Sequence, residues 1–253
     1  MLHTLGRLFR LLLVTMAWTL VVSALWVLLL RFSDPPVTWI MAQQYREQGR
    51  LERKVVPFER IAHTLPLAVI ASEDQRFMLH NGFSWTAIER AMESNRKGKR
   101  VKGASTISQQ TAKNVFLWPG RTWVRKGLEA WFTVLIEALW SKQRILEVYL
   151  NCVELGKGVF GAEAAAQQCF GVSANKLTHA QSAMLAVALP APRRYNCRTP
   201  GGYMQRRQQW VLRQMRNIGD VLDPEVLQRR KEKLEREEER KKERAKKKAA
   251  VKG

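Results

Sequence analysis

Glu73 stands where a carboxylate could take up or release a proton. It follows the apolar run at residues 67–70 and precedes a turn glycine, Gly82. Burial beside apolar surface disfavours an ionised carboxylate, so we expect the pKa of Glu73 to rise towards the range of a proton-transfer group. If the segment is helical, Glu73, Phe77 and His80 share one face. A surface Glu-Asp pair at a helix end is the plainer alternative.

A second group of polar residues follows a basic, glycine-containing loop at residues 95–102. Ser105 or Thr106 can cap a helix, because a hydroxyl there accepts a hydrogen bond from a free N–H of the first turn. Gln110 and Lys113 are then neighbours on that helix. The segment therefore predicts one short helix with much hydrogen-bonding capacity, and a capped, solvated helix start is the alternative.

A third group combines charge with aromatic residues. Arg121, Arg125 and Glu129 recur every four residues, which predicts one helix face. A surface ion pair is the ordinary meaning of that spacing. Here, however, large apolar residues such as Trp123 and Trp131 surround the guanidinium groups. The pattern indicates an amphipathic surface that meets lipid and carries cations for phosphate, with ordinary core packing as the alternative for any single aromatic residue.

Taken in order, these segments resemble the signature motifs of the peptidoglycan glycosyltransferases. The resemblance covers residues 67–192 and is closest to the monofunctional biosynthetic peptidoglycan transglycosylases. No Lys-Thr-Gly motif occurs and little chain follows, so we expect no transpeptidase domain and no transpeptidase activity. The matching blocks are residues 73–83, 103–114, 125–129, 142–151 and 158–166.

The resemblance implies a mainly α, lysozyme-like fold with a small membrane-associated jaw near residues 118–140. It also implies that lipid II, a disaccharide-pentapeptide on polyprenyl pyrophosphate, is joined to a growing glycan strand with inversion. Glu73 would be the catalytic base, and Glu129 a second catalytic carboxylate that orients cations or helps hold Mg or Mn on the pyrophosphate. The substrate-binding residues implied by motif position are Ser105, Thr106, Gln110, Lys113, Arg121 and Arg125.

The chain departs from the usual family pattern at four positions. Ser84 replaces a common Asp, Ala104 a Gly, Ser108 a Thr, and Cys169 an aromatic residue. Neither glutamate is affected, so we expect activity to be retained, with local contacts near Ser84 and Cys169 less defined by the resemblance.

Residues 11–30 contain no charged side chain and, as a helix, would be about as long as a bilayer core is thick. A cleaved signal peptide is the alternative, but the apolar run is long for one and no clear cleavage site follows. We therefore predict a single-pass anchor in the bacterial inner membrane. The family resemblance places the catalytic domain on the periplasmic side, because the substrate's sugars lie there.

The 253 residues carry a formal net charge of +21. This excess favours anionic lipid, pyrophosphate or nucleic acid as partners, and the anchor favours lipid. The three cysteines have no metal-ligand spacing; they predict either one disulfide or three thiols. The predicted divisions are 1–10 (cytoplasmic), 11–30 (anchor), 31–60 (connector), 61–220 (glycosyltransferase domain) and 221–253 (charged tail, a solvated helix or disordered).

Beyond the motifs, the pattern predicts helices and no strong strand. A polar helix is expected at 41–53, and a strongly apolar one, too short to span a bilayer, at 127–140. The tail shows no apolar stripe with which to complete a core. Further core helices are predicted at 85–95, 141–153, 162–170 and 178–189.

Two other functions remain open at this point. A lytic transglycosylase or lysozyme, which cleaves the wall, shares a helical fold and a catalytic Glu. A non-catalytic, membrane-anchored binder of lipid or nucleic acid would explain the charge but would need neither Glu73 nor Glu129. The second Glu and the cationic, apolar helix favour synthesis from a pyrophosphate-linked lipid.

Overall fold

The computed structural model describes residues 2–96 and 105–250, and it is mainly α as predicted. Most of the basic loop predicted at 95–102 lies outside the described residues. The helices are α1 (Leu2–Leu30), α2 (Trp39–Gln48), α3 (Thr64–Glu73), α4 (Trp85–Arg96), α5 (Ile107–Phe116), α6 (Trp123–Leu139), α7 (Lys142–Cys152), α8 (Ala162–Phe170), α9 (His179–Ala188), α10 (Gly202–Ile218) and α11 (Pro224–Ala250).

Hydroxyl caps explain where five of these helices begin. In each, the side-chain oxygen of the residue before the helix accepts the N–H three positions on, which satisfies one of the free donors of the first turn. In α5 and α9 a Gln at that third position also bonds back to the cap, forming a capping box. The capping residues are Thr38, Thr106, Thr122, Ser141 and Thr178.

The core is built around α3, whose residues 65–71 are all buried. This helix packs against α9 and α10, which also pack against each other. A second set of contacts joins α5 to α6 and α7. Because α3 is enclosed on all sides, its C-terminal end presents Glu73 from a rigid support.

A small sheet, absent from the sequence prediction, ties the connector to the domain. Its strands are β1 (Glu52–Arg53), β2 (Glu154–Gly156) and β3 (Val159–Phe160). Central β3 pairs in parallel with β1 and antiparallel with β2. Gly158 turns the chain between β2 and β3 with φ +70°, and a Cβ there would lie 2.8 Å from the Arg50 carbonyl oxygen. Strands of two or three residues are too short for an alternating pattern, which is why the sequence did not reveal them.

The N-terminal helix is both the membrane-anchor candidate and part of the packed structure. Residues 6–30 are long and apolar enough to cross a membrane. The last turns of α1 lie against α6, where the Trp131 indole N–H donates to Ser23 Oγ at 3.0 Å. The Trp140 indole N–H donates to the Val27 carbonyl at 2.8 Å. Trp26 meets Phe116 edge to face, with ring centroids 5.2 Å apart.

The aromatic residues of the predicted jaw divide into two sets. Trp140 and Phe132 are buried in the packing around α6, as the ordinary-core alternative held. Trp123 is 92% exposed at the start of α6, next to the exposed Val124. The exposed pair leaves an apolar surface at the N-terminal end of the helix.

Two of the three cysteines form a disulfide. Cys169, at the end of α8, is bonded to Cys197 in the segment between α9 and α10. Cys152 is a free, buried thiol whose pKa burial raises to about 11, although nearby Arg53 acts in the opposite direction. Of the two alternatives from the sequence, the structure therefore has the disulfide.

The charged tail is a helix, α11, and it does carry apolar contacts, contrary to the expectation. Leu227 packs against the core. Leu234 lies seven residues further on and lines a pocket with Met78. The missed signal was two leucines at helical spacing among many charges.

Candidate active site

Glu73 is the last residue of α3, so a carboxylate stands at the end of a buried apolar helix. Burial raises the pKa of Glu73 above its ordinary value. The Gln110 side-chain N–H₂ donates to Glu73 Oε2 at 3.0 Å, and the Ser72 hydroxyl donates to Oε1 at 3.4 Å. These two bonds lower the pKa but do not offset the effect of burial. The arrangement gives a carboxylate that is oriented and readily protonated.

The helix ends at Glu73, so the predicted shared face with Phe77 and His80 is wrong. The chain turns at Asp74, the C-cap, and a single 3₁₀ turn follows at Phe77–Leu79. Asp74 Oδ2 lies 2.9 Å from the His80 Nε2 and also accepts the Ile107 N–H at 3.2 Å. This carboxylate therefore fixes the turn after Glu73 to the first residue of α5.

Helix α5, which contains most of the second group of polar residues, forms side-chain hydrogen bonds at the site, as the sequence predicted. Gln110 is held between two groups, because the buried Tyr149 hydroxyl donates to its Oε1 at 3.1 Å while its N–H₂ faces Glu73. Burial raises the pKa of Tyr149 well above the ordinary value, so the phenol stays a donor at neutral pH. One turn along α5, burial lowers the pKa of Lys113, and the charge of Glu129 opposes that shift.

The two hydroxyls at the start of α5 have different surroundings. Thr106 is 2% exposed, accepts the Gln109 N–H as the cap, and donates to the Gly82 carbonyl at 2.6 Å. Because this hydroxyl is buried and already engaged, the structure gives Thr106 a structural role at the helix start, and its substrate contact stays a prediction. Ser105 is exposed beside this cap, and its substrate contact stays a prediction.

Glu129 is buried in α6 at 3% exposure and neutralised by two cations. Arg125 Nη1 donates to Oε2 at 3.2 Å, and the Lys126 ammonium donates to Oε1. The Arg125 Nε is buried without a hydrogen-bond partner. Both carboxylate oxygens are engaged, which fits the orienting role predicted for Glu129 better than the alternative of a metal ligand.

Arg121 is not on the helix face predicted for it. Thr122 caps α6, so Arg121 lies just before the helix. It nevertheless meets the other predicted cations, because Lys113, Arg121 and Arg125 all line one pocket of about 460 Å³. Cations that converge on one pocket can bind an anion with two or more phosphate groups.

Comparison with known proteins gives the family. The profile of the Transglycosylase family matches residues 41–216. The chain belongs to this family. It is 55% identical over 204 residues to the biosynthetic peptidoglycan transglycosylase of Xanthomonas axonopodis pv. citri, covering 78% of this chain and 83% of the relative. This confirms the resemblance read from the motifs and the lysozyme-like helical fold that it implied.

Two further relatives carry the same description. The protein of Caulobacter vibrioides is 55% identical over 181 residues, which are 72% of this chain and 79% of that protein. The protein of Shewanella oneidensis is 49% identical over 213 residues, which are 79% of this chain and 87% of that protein. The family profile ends its match at residue 216, and the charged helix α11 begins after that point, at Pro224.

Three cations near the site were not among the predicted residues. Lys126 lies within the motif at residues 125–129 and binds Glu129. The two residues are three positions apart on a helix, a spacing that could have predicted the ion pair from the sequence. Arg207, on α10, lies over the Trp210 ring at 3.6 Å, and its charge lowers the pKa of Glu73. Arg193 lines the cation pocket. Nothing local in the sequence links Arg207 or Arg193 to this site, since both approach it only through the fold.

No metal centre is built into the part of the chain that the structure describes. Among residues 2–96 and 105–250, no three His, Cys, Asp or Glu side chains are grouped as ligands.

Proposed function

We propose that the chain, as a peptidoglycan glycosyltransferase of cell-wall synthesis, polymerises lipid II into β-1,4-linked glycan strands. The observation that carries this proposal is one arrangement: a partly buried, hydrogen-bonded Glu73 next to a helix whose Lys113 lines a pocket of cations. Family membership and the relatives' description support the same reaction class. The proposed activity is glycosyl transfer without transpeptidation.

In the proposed reaction Glu73 acts as a general base. Its carboxylate takes the proton from the acceptor sugar's 4-hydroxyl while that oxygen attacks the donor's anomeric carbon. The bond from this carbon to the pyrophosphate oxygen breaks with the electron pair leaving on the pyrophosphate. A single displacement inverts the carbon, so an α-linked donor gives a β linkage. Gln110 keeps the basic oxygen pointed at one place throughout.

The leaving group needs cations that are already in place. Lys113, Arg121 and Arg125 supply them on the wall of one pocket. Negative charge that develops on the bridging oxygen is best stabilised by groups that do not have to reorganise. Glu129 holds Arg125 and Lys126 in position and limits the repulsion among neighbouring positive charges. Ser105 and Gln110 are proposed to bond sugar or phosphate oxygens.

The proposed location is the periplasmic side of the bacterial inner membrane. Residues 6–30 supply one spanning helix, and its last turns pack against α6 of the domain. The exposed Trp123 and Val124 would enter the lipid interface beside it. The Cys169–Cys197 disulfide fits an oxidising compartment.

Purified full-length protein in detergent should convert lipid II to polymer, and muramidase digestion of the product should return disaccharide units. A lytic enzyme would instead release fragments from isolated sacculi and leave lipid II untouched. A binding protein would do neither. Either of these two results would contradict the proposed function.

A further inference from the structure

A fourth cation faces the pocket that holds Lys113, Arg121 and Arg125. Arg193 belongs to the segment between α9 and α10, and it lines the same pocket from outside α5 and α6. All four charged residues in the lining are basic. A pocket with cations on separate elements can grip an anion from more than one side, which a single helix face cannot do.

Two carboxylates fix the direction of the Arg193 side chain. Its Nη1 lies 3.5 Å from Glu47 Oε2 on α2, and its Nε lies 3.4 Å from Glu154 Oε2 on β2. Ion pairs this exposed add little stability, since the Arg193 side chain is 49% exposed. They do hold the guanidinium between two elements, and a guanidinium has five N–H donors, so donors remain for a ligand.

The backbone that carries Arg193 is held by the disulfide. The segment 189–201 has no helix or strand, and a turn closed by the Arg194 N–H to the Ala191 carbonyl, at 2.9 Å, is its main local order. Cys197 lies four residues after Arg193 and is bonded to Cys169 on α8. The disulfide and Arg193 also line a common pocket of about 330 Å³. Tyr195, two residues after Arg193, also stacks on Tyr203 of α10 with ring centroids 5.6 Å apart, so the disulfide is the covalent one of the ties that hold this segment.

We propose that Arg193 binds a phosphate of the lipid pyrophosphate substrate, and that the Cys169–Cys197 disulfide positions it to do so. The inference rests on the proposed function and adds a residue and a support to it. Arg193 provides a charge-assisted, forked contact opposite the contacts of Lys113 and Arg125. The disulfide touches no reacting atom, so its role is positioning.

The test compares Arg193→Ala with Arg194→Ala in full-length protein in detergent. The two neighbours have the same charge and both are exposed, but only Arg193 lines the cation pocket. Arg193→Ala should raise the KM for lipid II roughly tenfold, as the loss of one charge-assisted hydrogen bond does, with little change in kcat. Arg194→Ala should leave both constants near wild type. An equal effect of the two substitutions would show general attraction by charge and overturn the proposal.

Replacing Cys169 and Cys197 together by Ser tests the positioning role. This double variant should also raise KM, and thermal unfolding shows whether the domain remains folded. In an Arg193→Ala background the same cysteine replacement should produce no further rise, because the residue it positions is gone. A rise of equal size in both backgrounds would overturn the link between the disulfide and Arg193.

Binding of inorganic pyrophosphate separates this inference from the proposed function. Calorimetry should show weaker pyrophosphate binding for Arg193→Ala than for Arg194→Ala, whether or not lipid II is polymerised. If wild type binds pyrophosphate in this way but does not polymerise lipid II, the polymerase proposal fails and the Arg193 anion contact stands. If polymerisation proceeds and Arg193→Ala matches wild type in KM and pyrophosphate affinity, the Arg193 inference alone fails.

Discussion

Glu73 owes its properties as a base to opposing influences on one carboxyl group. Burial at the end of α3 raises its pKa, and the negative end of the helix dipole acts in the same direction. Gln110, Ser72 and the charge of Arg207 act against burial. A base must be ionised to accept a proton but gains driving force from a raised pKa, so this balance suits proton abstraction near neutral pH.

Glu73→Gln should reduce lipid II turnover by about 10²–10⁴-fold, because the amide keeps the shape but cannot accept the proton. The same variant should be at least as stable as wild type at neutral pH. A carboxyl group whose folded pKa is raised destabilises the fold once pH exceeds its unfolded pKa, and the amide removes that penalty. Turnover and urea unfolding measure the two effects. Near-normal turnover would exclude Glu73 as the base.

Gln110→Ala should move the acidic limb of the pH profile of kcat/KM to higher pH. The substitution removes a hydrogen bond that favours ionised Glu73, so the carboxylate must be titrated at higher pH before it can act as base. The profile of kcat/KM reports the free enzyme and is the suitable measurement. An unchanged limb with a lower plateau would mean that Gln110 contacts substrate without tuning Glu73.

Lys113→Ala and Arg121→Ala should each lower turnover well below that of matched variants at exposed cations, Lys176→Ala and Arg60→Ala. The first two line the pocket proposed for the pyrophosphate. Arg121→Lys should restore activity only partly, because an ammonium cannot bind two oxygens through a planar fork. Similar losses at all four positions would point to overall charge as the cause.

At the scale of the element, the start of α5 joins stability to catalysis. Thr106→Ala should lower the free energy of unfolding by about 1 kcal/mol through loss of the cap, with more lost if the Gly82 contact also opens. Ser105→Ala should leave the unfolding midpoint unchanged and reduce turnover through substrate binding. Urea unfolding and lipid II kinetics on both variants test this division. A stability loss at Ser105 with none at Thr106 would contradict it.

The elements that sequence predicted are those whose signals are local. Thr106 with Gln109 is a cap readable from four residues, and apolar periodicity marks α6 and α7. The turn after Glu73 was missed because Asp74 is held there by Ile107 and His80, which requires α5 to be in place. Arg121 and Arg125 were predicted to share a helix face because they are four residues apart. In the structure they come together because both line one pocket, which depends on the fold and not on the spacing.

At the scale of the whole molecule, the charged tail contacts the domain close to the active-site turn. Arg76, three residues after Glu73, pairs with Glu238 of α11 at 3.2 Å. Leu227 and Leu234 extend this contact, the first into the core. Such exposed ion pairs contribute about 0–1 kcal/mol, and no hydrogen bond to Glu73 comes from α11 among the described residues. The contact is therefore peripheral to the chemistry.

Removal of residues 229–253 should leave lipid II turnover in detergent largely unchanged. The cut keeps Leu227 and its packing, and it removes no residue of the site. The lost segment carries 13 basic and 6 acidic residues, a net +7, so binding to anionic membranes should weaken. Each basic residue near such a surface contributes about 1 kcal/mol before the acidic residues offset it.

Vesicle flotation can measure that loss on two proteins that both lack residues 1–30, with and without the tail. The tail's contribution should disappear at high salt, because charges at a surface are screened within about a Debye length. Attraction that remains should come from Trp123, Val124 and the face of α6 that the last turns of α1 cover in the intact chain, and it should resist salt, because it is apolar. If the shortened full-length protein lost lipid II turnover in detergent, the contact of α11 with the turn after Glu73 would be part of the catalytic domain, and α11 could no longer be treated as a membrane-binding appendage.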